Sequence, residues 1–299
     1  MYDTVKFCLN CLEEEKEYLL SNFDFQQDTN IQSYQLNNLI IKIHNSLVTI
    51  EGSLAKFYYG DNSHLLGREE IKHAIDLLGN TLMLNINSAH VTRIDIAADF
   101  EMSHSVKEYF PFLGDYPRHK RELYKETTLY YLSKSHTCSL YDKGKELQGK
   151  EGAESNLLRF ESRWLKNLSK QLRWKNITGE TLSDPCFYRH IIQLWEKKYF
   201  DIKKRNIPIS KPNNPIKTAK QARDYLFNAL LCSSSLSSTM LIEETKNFLI
   251  EQLDSQNRSR FNRLLNGLNE DFSINERSPL MEELDCKIKD RISLELGIL

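Results

Sequence analysis

Nine polar residues fall into three short sets: Arg93, Asp95 and Asp99; Ser139, Tyr141 and Lys143; Arg159, Glu161 and Arg163. Spacings of two and four put the members of each set on one face of an extended strand. Asp95 and Glu161 are hard oxygen ligands suited to Mg²⁺ or Mn²⁺, ions commonly held by one or two protein carboxylates plus substrate phosphate. Asp99 does not reach the same ion, since four residues at ~3.3 Å each separate its Cα from that of Asp95 by about 13 Å. A cation beside a tyrosine hydroxyl points to nucleophilic phosphoryl transfer, because the ion offsets phosphate charge while the phenolate attacks. A lysine or arginine completes the charge stabilisation. Solvent exposure accounts for any one charged strand face; three that mix acids, bases and a tyrosine fit better with one shared cleft.

The elements that must carry these sets can be read from hydrophobic periodicity. In 91-VTRIDIAADF-100, Ile94, Ile96, Ala98 and Phe100 alternate with Arg93, Asp95, Ala97 and Asp99, which predicts a strand with an apolar back and a charged front. Residues 127–144 predict a hairpin turning at Ser133 to Ser135, with Tyr130 and Tyr131 on the strand facing Tyr141, and 157-LLRFESRWL-165 alternates again. Upstream, 38–52 predicts two strands about a His44-Asn45-Ser46 turn, and 54–60 extends the sheet. Residues 68–84 predict a helix with Ile71, Ile75 and Leu78 at helical spacing and two acids in its first turn. A linker rich in Gly, Lys and Glu precedes residue 157. Beyond about residue 170 the segments 187–200, 217–231, 240–253, 258–268 and 280–296 favour helix, interrupted by the Pro-rich stretch 207–217 and the serine run 233–238. The expected class is α+β, with a mixed or antiparallel sheet domain over 1–175 and a mainly helical region over 176–299.

With 299 residues, 40% of them hydrophobic, the chain suffices for one large domain or two modest ones. It has no run of roughly 20 apolar residues, and Asp3 and Lys6 stand where a leader would be apolar, so a soluble cytoplasmic protein is expected. Of six cysteines only Cys8 and Cys11 share a C-x-x-C spacing, with no second pair to complete a zinc site, which predicts reduced thiols. The net charge of −1 conceals a segregation: residues 159–223 hold sixteen Lys/Arg against five acids, hence +11, and the remainder carries −12. A polyanion responds to the local field, because charges beyond about 10 Å are largely screened. Trp174, Tyr188, Trp195 and Tyr199 interleave with this basic stretch. They suit stacking on unpaired bases beside backbone contacts from Lys197, Lys198, Lys203, Lys204 and Arg205. At near-helical spacing the same aromatics also fit a core, and a solvated salt-bridged surface accounts equally for the charge.

The start MYDTVKF, with 53-SLAKFYYGDN-62, 92-TRIDIAADF-100, 139-SLYDKGKE-146 and 158-LRFESRW-164 in that order, resembles the gene II/X family of phage and plasmid replication proteins. That group includes the filamentous-phage initiator and is related to the initiators of small rolling-circle plasmids. The likeness runs from residue 1 to about 175. It implies a sheet domain of the rolling-circle initiator type and a sequence-specific, metal-dependent DNA nickase. In such proteins a tyrosine attacks an origin phosphate, keeping the 5′ end and leaving a free 3′-hydroxyl. Carried over to this sequence, Tyr141 matches the tyrosine of Y-D-K, Asp95 the acid of R-x-D and Glu161 the acid of R-x-E. The two acids are the implied ligands of Mg²⁺ or Mn²⁺. Lys143 joins Tyr141 in the chemistry, and Lys56, Arg93, Arg159 and Arg163 are candidates for DNA phosphate contact. Tyr130 and Tyr131 are the alternative nucleophiles. The His-hydrophobic-His motif of many such initiators is missing, since none of the eight histidines has that spacing. His136 reads as a surface turn residue, or as a helper of the metal or base.

The partners implied are origin DNA, both double- and single-stranded, and the host helicase and polymerase in a prokaryotic cytoplasm, with room for a homodimer at the origin. Other readings stay open: a relaxase for plasmid or transposon mobilisation, a DNA-binding regulator that has lost catalysis, or a protein unrelated to DNA. A helix-turn-helix reader of the origin beyond residue 217 is a further expectation.

Overall fold

The computed structural model describes residues 1–28, 30–61, 63–148, 156–204 and 278–297. The chain divides into two compact units, one of Met1–Val106, Tyr116–Asp201 and Cys286–Leu299, the other of Lys107–Asp115 and Ile202–Asp285.

The first unit is built on one ten-stranded sheet. Its strands are β1 (Tyr2–Asn10), β2 (Gln26–Asp28), β3 (Ile31–Leu36), β4 (Leu39–His44), β5 (Leu47–Ser53), β6 (His90–Glu101), β7 (Lys120–Tyr124), β8 (Thr128–Leu132), β9 (His136–Asp142) and β10 (Leu157–Trp164). They lie in the order β2-β3-β4-β5-β1-β6-β10-β9-β8-β7, and every neighbouring pair is antiparallel. The α+β class, with an antiparallel sheet first and helices after it, is thus as the sequence predicts. Both predicted hairpins form, β4–β5 about Asn45, whose φ of 56° suits a tight turn, and β8–β9 about residues 133–135.

Residues 54–60 do not extend the sheet. They form helix α2 (Leu54–Tyr59), because Ser53 caps it by accepting the Lys56 N–H at 3.1 Å and Gly60 ends it at φ 87°. The expected linker after the β8–β9 hairpin also begins as a helix: Asp142 accepts the Lys145 N–H at 3.0 Å at the start of Lys143–Gln148. Among the described residues the helices are, in chain order, α1 (Glu13–Asn22), α2, α3 (Arg68–Leu82), α4 (Lys143–Gln148), α5 (Leu168–Leu172), α6 (Pro185–Phe200) and α7 (Pro279–Glu295). The apolar stripe of α3, Ile71, Ala74, Ile75, Leu78 and Leu82, is buried against α2 and the short 3-10 turns at 86–88 and 180–183.

The two faces of the central strands differ. One carries Val5, Phe7, Ile94, Ile96, Ala98, Phe100, Leu140, Leu158 and Phe160, all buried. Helix α6 covers this back face. It starts at Asp184, whose carboxylate accepts the Phe187 N–H at 2.7 Å, and Trp195 then lies 5.0 Å from Phe160 and 6.5 Å from Phe100, with Tyr199 5.6 Å from Phe160. Burying each such ring contributes roughly 1.5–3 kcal/mol, which fixes the rotation of the helix. Tyr188, Trp195 and Tyr199, with at most 4% exposure, are therefore core rather than a platform for bases, and Trp174 packs on Phe187 and His190.

In the second unit the Gly114 N–H donates to the Lys203 carbonyl at 2.7 Å, the Lys203 N–H to that of Asp115 at 2.9 Å, and the Tyr109 hydroxyl to Glu283. The helices expected over 217–231, 240–253 and 258–268, the Pro-rich and serine stretches and Arg205 lie outside the described residues. Among the described residues no helix is long and apolar enough to cross a membrane. The described cysteines, Cys8 and Cys11 included, are free thiols.

Candidate active site

Because β10 lies between β6 and β9, the three polar strand faces adjoin. Their register arranges them in rows across the sheet: Asp99, Arg159 and Tyr141; Ala97, Glu161 and Ser139; Asp95, Arg163 and Thr137. The first two rows continue into β8 as Thr128 and Tyr130. On the other side Arg93 pairs with Lys6 of β1, which pairs with Glu51 of β5. A cleft of about 770 Å³ on this face is lined by Tyr141, Lys143, Asp95, Glu161, Arg93, Arg159 and Arg163. The cleft also contains residues that the sequence analysis did not assign: Asp3, Thr4, Ser53, His64, Lys125, Thr127, Thr128, Lys145 and Glu146. The register of β1 shifts between Tyr2 and Val5, an irregularity that lets consecutive Asp3 and Thr4 both face the cleft.

The two carboxylates are buried, Asp95 at 0% and Glu161 at 2% exposure. Arg93 forks onto Asp95 through Nε at 3.0 Å and Nη2 at 2.6 Å, and its Nη1 donates to Glu51 at 2.8 Å. Arg163 bridges the pair: Nη2 donates to Glu161 at 2.7 Å, while Nε lies 3.8 Å from Asp95, buried and without a hydrogen bond among the described residues. Burial, opposed by the hydrogen bonds from Arg93 and aided by the charge of Glu161, pushes the Asp95 carboxyl up to about 7.

Tyr141 is half-buried in the cleft, and burial together with the charge of Glu161 raises its hydroxyl well above the ordinary value, against the pull of Arg159. Arg159 is 2% exposed, and both oxygens of Asp99 accept from it, at 2.5 Å from Nε and 2.6 Å from Nη2. Burial works against its charge, but the pairing with Asp99 prevails and raises its pKa. Lys143 begins α4 fully covered, its Nζ donating to Glu146 at 2.9 Å. Of the alternative tyrosines, Tyr130 lines the cleft, whereas Tyr131 points to the opposite face, fully buried edge-on to Tyr116.

Lys56, Lys197 and Lys198 of the first unit do not line this cleft. Lys56 sits on α2, its N–H donating to the cleft residue Ser53 in the helix cap. Lys197 and Lys198 lie on α6, which covers the back of the sheet. Lys197 pairs with Asp201 at 3.0 Å, and Lys198 is half-buried near Cys138 with its pKa lowered by burial. Lys203 is exposed in the second unit, where burial lowers Lys204 to about 7 against the opposing charge of Asp285. His136 is not a surface turn residue and does not serve the cleft. It is 2% exposed on the back face, held by Ser162 at 2.7 Å and His119 at 3.0 Å, because strand alternation turns it away from Tyr141.

Among the described residues no group of three or more His, Cys, Asp or Glu side chains could hold an ion by itself. The cleft instead offers Asp95 and Glu161 on diagonal positions of neighbouring strands. Beside them are two buried atoms without partners among the described residues, Ser139 Oγ and Arg163 Nε. Two hard carboxylates and an unsatisfied hydroxyl fit Mg²⁺ or Mn²⁺ that fills its shell with water and substrate phosphate. They do not fit tetrahedral zinc. An ion there would compete with the contacts of Arg163 to both acids.

The family model for the N-terminal part of a phage replication-associated protein matches residues 1–184. Among solved structures the chain resembles that of a rolling circle replication initiator protein from Geobacillus stearothermophilus, at 13% identity and a TM-score of 0.41, covering 76% of this chain and 95% of that one. No curated protein sequence matches the chain. The matched span contains all ten strands and every residue of the cleft, and the chain belongs to this family of replication-associated proteins.

Proposed function

We propose that this protein is a sequence-specific, divalent-metal-dependent DNA nickase and strand transferase that starts rolling-circle replication. The observation that carries the reading is the meeting of Tyr141, Arg159 and the Asp95–Glu161 pair in one cleft on three adjoining strands.

In the reaction, Tyr141 Oη attacks phosphorus at the origin and the bond from phosphorus to the 3′ oxygen breaks. The tyrosine proton passes to a base, the departing 3′ oxygen gains one, and the 5′ phosphate remains on the tyrosine as a diester. The free 3′-hydroxyl serves the host polymerase, and the linked strand is available for later transfer. Burial makes the phenolate costly, so a fixed positive charge is needed beside it, which Arg159 supplies. Lys143 brings a second cation to the phosphate. Asp95 and Glu161 would hold Mg²⁺ or Mn²⁺, which when bound neutralises phosphate charge. Arg93 and Arg163 orient these acids and offer donors to the DNA backbone at the cleft wall. Origin DNA, the host helicase and a second copy of this chain are the partners this role calls for.

The test is a cleavage assay on single-stranded oligonucleotides from the element's own origin, with Mn²⁺ or EDTA, resolved on denaturing gels. Wild type is expected to form a metal-dependent covalent adduct that Tyr141→Phe does not form. Tight binding without an adduct on any origin strand would sink the nickase reading and favour a regulator.

A further inference from the structure

The row Asp99, Arg159, Tyr141 crosses three strands, and among the described residues the side-chain hydrogen bonds of its central residue all go to Asp99. Arg159 gives Asp99 the Nε and Nη2 edge of its guanidinium, at 2.5 and 2.6 Å, a geometry that fixes the plane of the group as well as its charge. Among the described residues Nη1 donates no hydrogen bond; the Asp3 carboxylate stands 3.9 Å from it, itself anchored by the Ser53 hydroxyl at 2.6 Å. The side chain is 2% exposed, yet it belongs to the lining of the cleft, as does its ladder partner Tyr141. Asp99 is too distant along β6 to share an ion with Asp95 and is committed to this arginine.

We infer that Asp99 is a positioning residue for strand cleavage: it locks the plane and charge of the Arg159 guanidinium next to the ladder position of Tyr141, where the attacked phosphate must sit. The inference rests on the reading of Tyr141 as nucleophile. A buried arginine free to rotate spends part of its time in arrangements that leave developing charge unmatched, and fixing it beforehand removes that reorganisation from the reaction. Asp99 touches neither DNA nor the reacting atoms, so its loss should slow bond exchange while leaving DNA affinity alone.

The experiment compares wild type, Asp99→Asn, Arg159→Lys and the double variant. Three quantities are read: single-turnover adduct formation across pH, DNA affinity by fluorescence anisotropy, and the ¹⁵N resonance of Arg159 Nε with its hydrogen-exchange protection. Asp99→Asn, which keeps the shape of the side chain, is expected to slow adduct formation roughly 10²-fold, to change the alkaline limb of the pH profile and to leave DNA affinity within about twofold. The double variant should be no slower than the worse single one, since both changes remove one device. Protection of the Arg159 Nε–H, present in wild type, should be lost in Asp99→Asn. Wild-type rate and profile in Asp99→Asn, or rate losses that multiply in the double variant, overturn the inference. A wild type that binds DNA but forms no adduct overturns the nickase reading together with the catalytic role of Asp99. The resonance then still reports whether Asp99 holds the arginine.

Discussion

Ser139 and Glu161 stand directly opposite each other in the β9–β10 ladder, and the buried Ser139 Oγ has no hydrogen-bond partner among the described residues. Deleting that hydroxyl forfeits no bond among them, so Ser139→Ala should leave the metal-free protein as stable as before or up to ~1 kcal/mol more stable. If the hydroxyl instead serves a hydrated ion beside Glu161, the rise in melting temperature that Mn²⁺ gives wild type should shrink in the variant. Melting curves with EDTA and with Mn²⁺ decide the matter; an equal loss of stability in both would assign the serine to the fold alone.

The placement of three tyrosines makes a second prediction. Tyr141 and Tyr130 line the cleft, and Tyr131 is buried on the other face. Tyr131→Phe and Tyr130→Phe should both still form the adduct, whereas Tyr141→Phe should lose it by at least about 10³-fold, as expected when a nucleophile is removed. An adduct that survives in Tyr141→Phe and disappears in Tyr130→Phe would transfer the role to Tyr130.

His136 and Asp95 should give the stability of the protein opposite pH signatures. Burial depresses the folded pKa of His136 from 6.5 to about 2, so the unfolded chain takes up the proton first. Its contribution is complete above pH 6.5 and is lost as pH falls, by at most ~1.4 kcal/mol per pH unit. Asp95 is raised from 3.8 to about 7, so its contribution is complete below pH 3.8 and is lost as pH rises through 7. Urea midpoints from pH 4 to 8 should fall less steeply on the acid side in His136→Gln and less steeply on the alkaline side in Asp95→Asn. Both variants running parallel to wild type would refute the two assignments.

Gly179 ties the segment leading into α6 to the turn after α3. Its N–H donates to the Ala89 carbonyl at 3.0 Å, and a Cβ there would lie 2.1 Å from the Ile86 carbonyl oxygen, a backbone atom that cannot turn aside. Gly179→Ala should therefore cost roughly 3 kcal/mol, the upper range for overpacking. Chemical denaturation measures it, and a loss below ~1 kcal/mol would mean that the two segments separate easily.

Much of the site was legible because strand alternation reports side-chain direction directly. The faces of 91–100 and 157–165, the hairpin turn at 133–135 and a helix over 187–200 follow from local pattern, and the ladders bring Asp95, Glu161 and Tyr141 to one cleft. Strand order was not legible. That β10 inserts between β6 and β9, and that Asp3 and Ser53 join the cleft from strands far away in sequence, depends on pairing that no local window contains. Asp99 could be excluded as a partner of Asp95 on one ion by distance, but its attachment to Arg159 needed the register. Lys197, Lys198 and their neighbouring aromatics read as a basic, stacking surface because composition does not say which stripe of a helix is covered. Trp195 and Tyr199 settle that by packing on Phe160. At 54–60 the cap residues Ser53 and Gly60 outweighed an aromatic run that resembled strand.

The two halves of the cleft do not pair with each other. Asp95 on β6 and Tyr141 on β9 are joined solely through β10, which is made last of the three and hydrogen-bonds to both. During synthesis at about 5–20 residues per second, the acid and the tyrosine emerge seconds before the strand that unites them. A chain stopped at residue 156 should accordingly have no trace of the cleft's chemistry, which an assay of that truncation can check. The cleft is therefore completed by the final hydrogen-bonded row rather than by degrees, and a ribosome-bound fragment already long enough to contain both groups holds them on strands that nothing yet joins.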